Sequence, residues 1–279
     1  MSHRRSASAQ AFDLRLIPSR INRPSAKRWV ARDRCDNGTD APHAGLIARE
    51  SRLRLMFEAV HVIGTGRAGG AIRGRLAERA LRVTDGRVPH PAADLVLLCV
   101  PDSVIAEVAA GVRLGPWVAH VSGATHLSSL DPHERRFSVH PLQTLTRERG
   151  PEQLDGSWGA ICGETEGALA RAGWLAATLG LRAFEITDAD RTLYHAAAVI
   201  GGNFLATLYR VSSRLLEEAG APAEAIVLLM TRTIENGFDP TGPIARGDWS
   251  TVDAHIAALE DRHPDLVPLY RALAEATKP

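Results

Sequence analysis

The chain has 279 residues, of which 45% are hydrophobic and 23% charged, and a formal net charge of +1. That is enough apolar material for one large globular domain or two modest ones, and no apolar run is long enough to cross a bilayer. Three scattered cysteines, Cys35, Cys99 and Cys162, form no Cys-x-x-Cys pair. Their pattern argues against a disulfide framework or a zinc site and suits a reducing, cytoplasmic setting, with Cys99 packed inertly in a core strand.

The charge is unevenly placed. Residues 1–58 hold twelve Lys/Arg against six Asp/Glu, which leaves the rest mildly acidic. Nucleic-acid binding by the body therefore finds no support. Residues 1–55 show no sustained period and are rich in Arg, Ser, Pro and Asn, so they are expected to be a disordered or dispensable basic extension. A targeting peptide or a basic nucleic-acid arm are the alternatives for this stretch.

The strongest local signal follows. Val60, Val62 and Ile63 form a short apolar run of the kind a buried parallel strand needs. Gly64-Thr65-Gly66-Arg67-Ala68-Gly69 then carries the Gly-x-Gly-x-x-Gly spacing and leads into a helix from Ala71 to Arg82. Gly64 permits the tight strand-to-helix turn, Gly66 lets a pyrophosphate approach the backbone, and Gly69 allows close helix–strand packing. The free N–H groups at the helix start favour the phosphate.

A second strand is expected over Leu81–Thr84, ending near Asp85 and Arg87. Asp85 is placed to take the ribose hydroxyls of a dinucleotide, and Arg87 to pair with a 2′-phosphate, so NAD and NADP both stay open. Val88-Pro-His-Pro then runs straight into the buried strand Asp94–Val100, with no room for another helix and strand. The sheet is expected to be trimmed on that side. A short helix over Val104–Val112 follows the punctuating Pro101-Asp102, and strands are expected at Trp117–Val121, Arg136–His140, Gly159–Cys162 and Leu181–Ile186. An Ala-rich helix lies over Thr165–Leu179. Pro101, Ser122 and His140 all fall at strand ends, where open α/β sheets bind ligands.

From Asp188 to Ala219 the pattern is helical without interruption. Gly220 stops it, and further helices are expected from Pro222, near Trp249–Glu260 and at Pro264–Ala276. The fold expected is thus an α/β Rossmann-type doubly wound parallel sheet over residues 56–187, trimmed after its second strand, with an all-helical region over residues 188–279.

His140 is the main acid–base candidate, since an imidazole near its ordinary pKa exchanges a proton at neutral pH. Ser122 could hydrogen-bond a carbonyl. His195 and Asn203 share a face of the long helix, separated by about 12 Å along it, so both can reach one carbonyl only if the helix deforms near Gly201-Gly202. Two adjacent helical glycines cost about 2 kcal/mol relative to alanine, which suggests close approach of a cofactor or another helix. Tyr194 is assigned to packing. Arg246 could clamp a substrate carboxylate, with Thr241 or Asp248 orienting it. No metal cluster and no Walker pattern is visible.

These pieces resemble the Rossmann-like oxidoreductases whose helical C-terminal half is a domain of unknown function, relatives of ketopantoate reductase. The matching segments are Gly64–Gly69, Val100-Pro101-Asp102, His120–Ala124, His140–Thr144, Tyr194–Ala198, Asn203 and Thr241–Asp248. The resemblance implies a nicotinamide-dependent reductase with a helical domain of the 6-phosphogluconate-dehydrogenase-like type. It implies cofactor contacts at Val100, Pro101 and Asp102 as well as at the glycine loop. By analogy with prephenate dehydrogenases, it also implies active-site places for Ser122 and His140. Ketopantoate reductases carry a lysine on the long helix. Here His195 is the nearest counterpart.

The expected activity is NAD(P)H-dependent reduction of a small 2-oxo acid, ketopantoate first, with NADP as cofactor and NAD as the alternative. His140 or His195 would supply the proton. An imine or 3-hydroxyacid oxidoreductase and a non-catalytic NADP(H)-sensing protein are the competing readings. The expected partners are a small carboxylate substrate and a second copy of the chain, docked through the helical region because a long apolar helix needs partners.

Overall fold

Seven strands join in one sheet in the computed structural model, which describes residues 56–278. The extension assigned to residues 1–55 lies outside the described residues. The described residues fall into two units, 56–208 and 209–278.

The first unit opens with β1 (Ala59–Ile63), α1 (Arg67–Glu78), β2 (Arg82–Asp85) and β3 (Leu95–Leu98). α2 (Ile105–Ala110), β4 (Trp117–His120) and β5 (Arg136–Leu142) follow, then β6 (Trp158–Cys162), α3 (Glu166–Thr178) and β7 (Arg182–Glu185). α4 (Arg191–Val199), a π turn (Ile200–Phe204) and α5 (Leu205–Glu218) complete the run. The strand order is β2-β1-β3-β4-β5-β6-β7. Among the described residues no strand lies beyond β2, so the sheet is trimmed at that edge. Val88–Asp94 crosses directly from β2 to β3 without a helix.

The sheet is parallel as expected in its first five strands, with one antiparallel junction. β1 to β5 are parallel, but β6 pairs antiparallel with β5, and β7 runs parallel to β6. The reason is local. The segment between β5 and β6 holds only a short 3₁₀ turn, Pro151–Leu154, rather than a crossover helix, so the chain doubles back beside β5. α3 does provide a crossover between β6 and β7, and that pair is parallel.

Helices cover both faces, which is why the central strands are apolar on both sides. On one face Ile72 and Leu76 of α1 and Ala172 and Leu175 of α3 pack over Val60, Val62, Leu95 and Phe137. On the other, Ile105 and Ala109 of α2, with Leu127 and Leu130, pack over Val96, Leu98 and Val118. This is a Rossmann-like fold with a helical C-terminal region.

The second unit continues α5 and holds α6 (Ala225–Glu235), α7 (Trp249–Arg262) and α8 (Val267–Thr277). Gly220 and Gly247 adopt φ +82° and +70°, as expected of glycines that end helical turns. Ile226, Val252, Leu266 and Ala274 are its buried apolar residues, whereas Leu228, Leu229, Ile234 and Phe238 remain exposed. Among the described residues no helix is long and apolar enough to cross a membrane.

Candidate functional site

The register across the sheet brings the strand ends into line. Ile63 pairs with Leu98, Leu98 with His120, and His120 with Ser138. The residues that follow the first three positions, Gly64, Cys99 and Val121, therefore leave the sheet along one edge, while β5 runs on past Val139 to Leu142 beside β6.

At the β1 end the three glycines behave as three different devices. A Cβ on Gly64 would meet the Cys99 carbonyl oxygen at 2.4 Å, and its φ of +99° suits only glycine. A Cβ on Gly69 would meet the Gly64 carbonyl oxygen at 1.9 Å, so this glycine lets α1 sit against the turn. A Cβ on Gly66 would meet nothing within 4 Å. The space above Gly66 is therefore open rather than filled by protein. Gly66 is also the N-cap of α1, with no side-chain cap and no acidic residue in the first turn. That leaves N–H donors for an anion, which fits the pyrophosphate of a dinucleotide.

Thr65, Gly66 and Arg67 line a cleft of about 350 Å³ together with Thr146, Arg147 and Arg149 from the loop after β5. The sequence reading missed the last two arginines, because a loop 80 residues away gives no local signal. Ala68 is half-buried beside the core. Asp85 ends β2 and pairs with Arg73 of α1 at 3.4 Å, while Arg87 is exposed just beyond it. Val100, Pro101 and Asp102 follow β3, with Asp102 opening a 3₁₀ turn.

Farther along the edge, His140 and the helix α4 meet. His140 Nδ1 lies 2.6 Å from Tyr194 Oη, and the His140 ring stands edge-on to His195 with centroids 6.0 Å apart. Tyr194 thus belongs to the site rather than to plain packing. Gly123 makes the approach possible, since a Cβ there would lie 2.6 Å from the His195 ring and 2.9 Å from that of His140.

Burial, with His195 and Arg191 nearby, pushes His140 down to about 4. It is therefore a neutral imidazole at neutral pH, which corrects the expectation that it works near its ordinary pKa. Burial pushes the Tyr194 phenol up to about 12. The pair is neutral on both sides.

Arg191 fixes this geometry and was not singled out from sequence. It is fully buried in the first turn of α4. Its Nε donates to Asp188 at 2.9 Å, Nη1 to the Ser122 carbonyl at 3.2 Å, and Nη2 to Ser138 Oγ at 2.6 Å. One guanidinium thereby ties the helix to the turn after β4 and to the middle of β5. Asp188 also accepts from the backbone N–H of Leu127 at 3.1 Å and lies 3.0 Å from His126 Nδ1.

Ser122 differs from expectation. Its hydroxyl donates to Thr125 Oγ1 at 2.9 Å and accepts from the N–H groups of Ala124 and Thr125. The side chain is spent on its own turn, which holds Gly123 in place, and it is not free to orient a substrate.

His140, Tyr194 and His195 face a cavity of about 650 Å³ that also takes in Phe184, Val199 and Asn203. The helix deforms where the glycines sit. Ile200–Phe204 is a π turn, and a Cβ on Gly201 or Gly202 would meet nothing within 4 Å. Both glycines line the cavity. The extra residue in the turn brings His195 and Asn203 onto one cavity wall, a common use of a π turn at functional sites.

In the second unit, Arg246 Nη1 donates to the Thr241 carbonyl at 2.7 Å, which closes the loop on itself. Asp248 caps α7, accepting from the N–H of Thr251 at 3.2 Å and from the hydroxyls of Ser250 and Thr251. The Asp248 carboxylate serves the helix end, not Arg246.

Residues 158–277 match the family described as a domain of unknown function, DUF2520. The chain matches no curated protein in sequence. Among solved structures, a Bacteroides fragilis protein described as an NADP oxidoreductase is similar, with 20% identity and a TM-score of 0.66 over 78% of this chain and 97% of that one. A Thermotoga maritima protein is 24% identical, with a TM-score of 0.58 over 78% of this chain and 98% of that one. A reductive aminase of Aspergillus terreus, in complex with NADPH and ethyl levulinate, is 14% identical, with a TM-score of 0.57 over 78% and 93% of the two chains. At these identities the likeness is one of fold.

Proposed function

We propose that this protein is an NAD(P)H-dependent oxidoreductase that reduces a C=O or C=N group, with NADP as the first cofactor and NAD as the alternative. The observation that carries this reading is the sharing of one sheet edge by an open glycine cradle and a half-buried His140–Tyr194 pair. Three strand spacings separate β1 from β5, about 14 Å. A dinucleotide seated at Gly66 would extend across the ends of β3 and β4 towards that pair. The names of the similar structures, an NADP oxidoreductase and an NADPH-bound reductive aminase, support the same class.

The N–H groups opening α1 would hold the pyrophosphate, and Asp85 or Arg87 the adenosine ribose or its 2′-phosphate. When bound, the nicotinamide supplies the hydride. The chain's own residues handle the proton. With its Nδ1–H donating to Tyr194 Oη, neutral His140 leaves the phenol proton of Tyr194 for the oxygen or nitrogen being reduced. The same hydrogen bond stabilises the phenolate left behind. Tyr194, rather than either histidine, is then the proton donor, and His140 is its support. Asn203, on the same wall, would orient the reacting group.

A small 2-oxo acid, with ketopantoate as the first example, is one member of this substrate class, and imines and 3-hydroxyacids are others. The 2-oxo acid requires a cation for its carboxylate, the task the sequence assigns to Arg246. The exposed Leu228, Leu229 and Ile234 support a homodimer through the helical region, tested by sedimentation equilibrium.

Titration with NADPH and NADH, followed by a carbonyl and imine screen, tests the reading. Saturable NADPH binding and substrate-dependent NADPH oxidation are expected. Tight binding with no turnover on any compound would instead point to a nucleotide-sensing protein.

A further inference from the structure

Resting on the reductase reading above, we propose that the cavity beside Tyr194 takes a substrate whose reducible group is carried on an uncharged aryl or branched alkyl body, not on a carboxylate. Three features of the cavity carry this.

The first is charge. Among the described residues lining the cavity there is no Asp, Glu, Lys or Arg. The cation behind the wall, Arg191, is fully buried, and each of its three guanidinium nitrogens already serves Asp188, Ser122 or Ser138. His140 is neutral at neutral pH. A carboxylate entering here would shed water without gaining an ionic partner, which is strongly unfavourable.

The second is size. The cavity holds about 650 Å³, within the range of sites that enclose drug-sized ligands. Even with part of it given to a nicotinamide ring, a small 2-oxo acid would leave space to water.

The third is the lining. Phe184 stands edge-on to Tyr194, with centroids 5.8 Å apart, so an aromatic wall adjoins the proton donor. Leu142 and Val199 add aliphatic surface. Polar capacity is limited: besides the two histidines and Tyr194, only Gln143, Thr144 and Asn203 among the described lining residues carry polar side chains. Gln143 is held by Ser157 and by the N–H of Thr144, whereas the Asn203 amide has no hydrogen-bond partner among the described residues. One free amide beside one phenol suits a single carbonyl or imine on an otherwise apolar molecule.

The test compares two panels of matched carbon number with NADPH and the full-length protein: neutral aryl and branched alkyl ketones and aldehydes, and 2-oxo acids including ketopantoate. At least a tenfold higher kcat/KM on the neutral panel is expected. Phe184→Ala should raise KM for aryl ketones with a smaller effect on kcat. Thr144→Arg, at an exposed cavity position, should move the preference towards 2-oxo acids. A higher kcat/KM on 2-oxo acids in the unmodified protein, or unchanged KM in Phe184→Ala, would overturn this inference while leaving the reductase reading intact. NADPH binding without turnover on either panel would overturn both.

Discussion

His140 Nδ1 and Tyr194 Oη lie 2.6 Å apart although 54 residues separate them in the chain. The contact joins β5, just past its pairing with β4, to the first turn of α4, where Arg191, three residues earlier, is tied to Ser122 and Ser138. Two requirements meet there. The helix must come close enough for a phenol to reach an imidazole, and Gly123 must lack a side chain that would hold the rings apart.

Replacing Tyr194 with Phe removes the phenol proton and keeps the ring against Phe184. We expect kcat to fall about 10²- to 10⁴-fold, with little change in NADPH affinity. His140→Ala, which leaves the donor but removes its support, should lower kcat by a smaller factor. Steady-state kinetics with a cofactor titration on each variant would check this. A Tyr194→Phe protein with undiminished kcat would remove Tyr194 from the chemistry.

The pH profile separates a phenol donor from an imidazolium. With His140 held at about 4 and Tyr194 at about 12, neither changes its charge between pH 6 and 9. The kcat/KM for reduction should therefore be flat across that range. A histidine of ordinary pKa acting as donor would lose about tenfold in rate per pH unit above 6.5. A slope of that kind would return the proton to a histidine.

Much of the first unit could be read from the chain because its signals are local. The buried run before Gly64, the glycine spacing and the missing segment after Arg87 each depend on neighbours a few residues away. The reversal of β6 escaped, since strand direction depends on what spans the gap, and a 3₁₀ turn at Pro151–Leu154 has no strong sequence mark. Among site residues, His140, His195 and Asn203 were visible as polar groups at a strand end and on a helix face. Tyr194 was read as packing, and Arg191 and Gly123 were given no role of their own, because their roles arise only when β4, β5 and α4 converge. Ser122 was misread for the same reason. A turn hydroxyl looks the same in sequence whether it faces a ligand or its own backbone.

Arg191 should be more important for stability than its position on a helix suggests. Substitution by Met keeps the bulk but leaves the Ser122 carbonyl and Ser138 hydroxyl without their partner. Asp188 retains Leu127 and His126 and is partly exposed, so the loss should be smaller than for a sealed ion pair, about 2–3 kcal/mol. Urea unfolding would measure it. Arg191→Lys, with one point charge in place of a fork, should recover only part.

Acid should destabilise the fold earlier than its carboxylates require. His120 and His140 are lowered to about 3 and about 4, in each case chiefly by burial. The unfolded chain takes up these protons near pH 6.5, while the folded one resists until far lower pH. Stability is therefore complete above about 6.5 and is lost as pH falls towards 4, with each histidine costing about 2 kcal/mol at pH 5. In His120→Asn, an amide oxygen can still accept from the N–H of Ser122, as the ring does at 3.2 Å. That variant should lose about half of this pH dependence between pH 7.5 and 5. An unchanged dependence would mean that neither burial nor charge at His120 limits acid stability.

The glycine loop offers a test in which fold and binding come apart. Gly69→Ala puts a methyl 1.9 Å from the Gly64 carbonyl oxygen, a backbone atom that cannot step aside. It should lower the melting temperature by several degrees. Gly64→Ala should do the same, through the Cys99 carbonyl and a φ of +99°. Gly66→Ala meets no protein atom within 4 Å and sits at φ −67°, where alanine is unstrained. Its melting temperature should stay within a degree or two, while the methyl occupies the space proposed for the pyrophosphate and weakens NADPH binding by at least about tenfold. Thermal unfolding and NADPH titration on the same three proteins give the comparison. If Gly66→Ala binds NADPH as tightly as the parent chain, the cofactor does not lie over this turn, and the cradle is a packing device only.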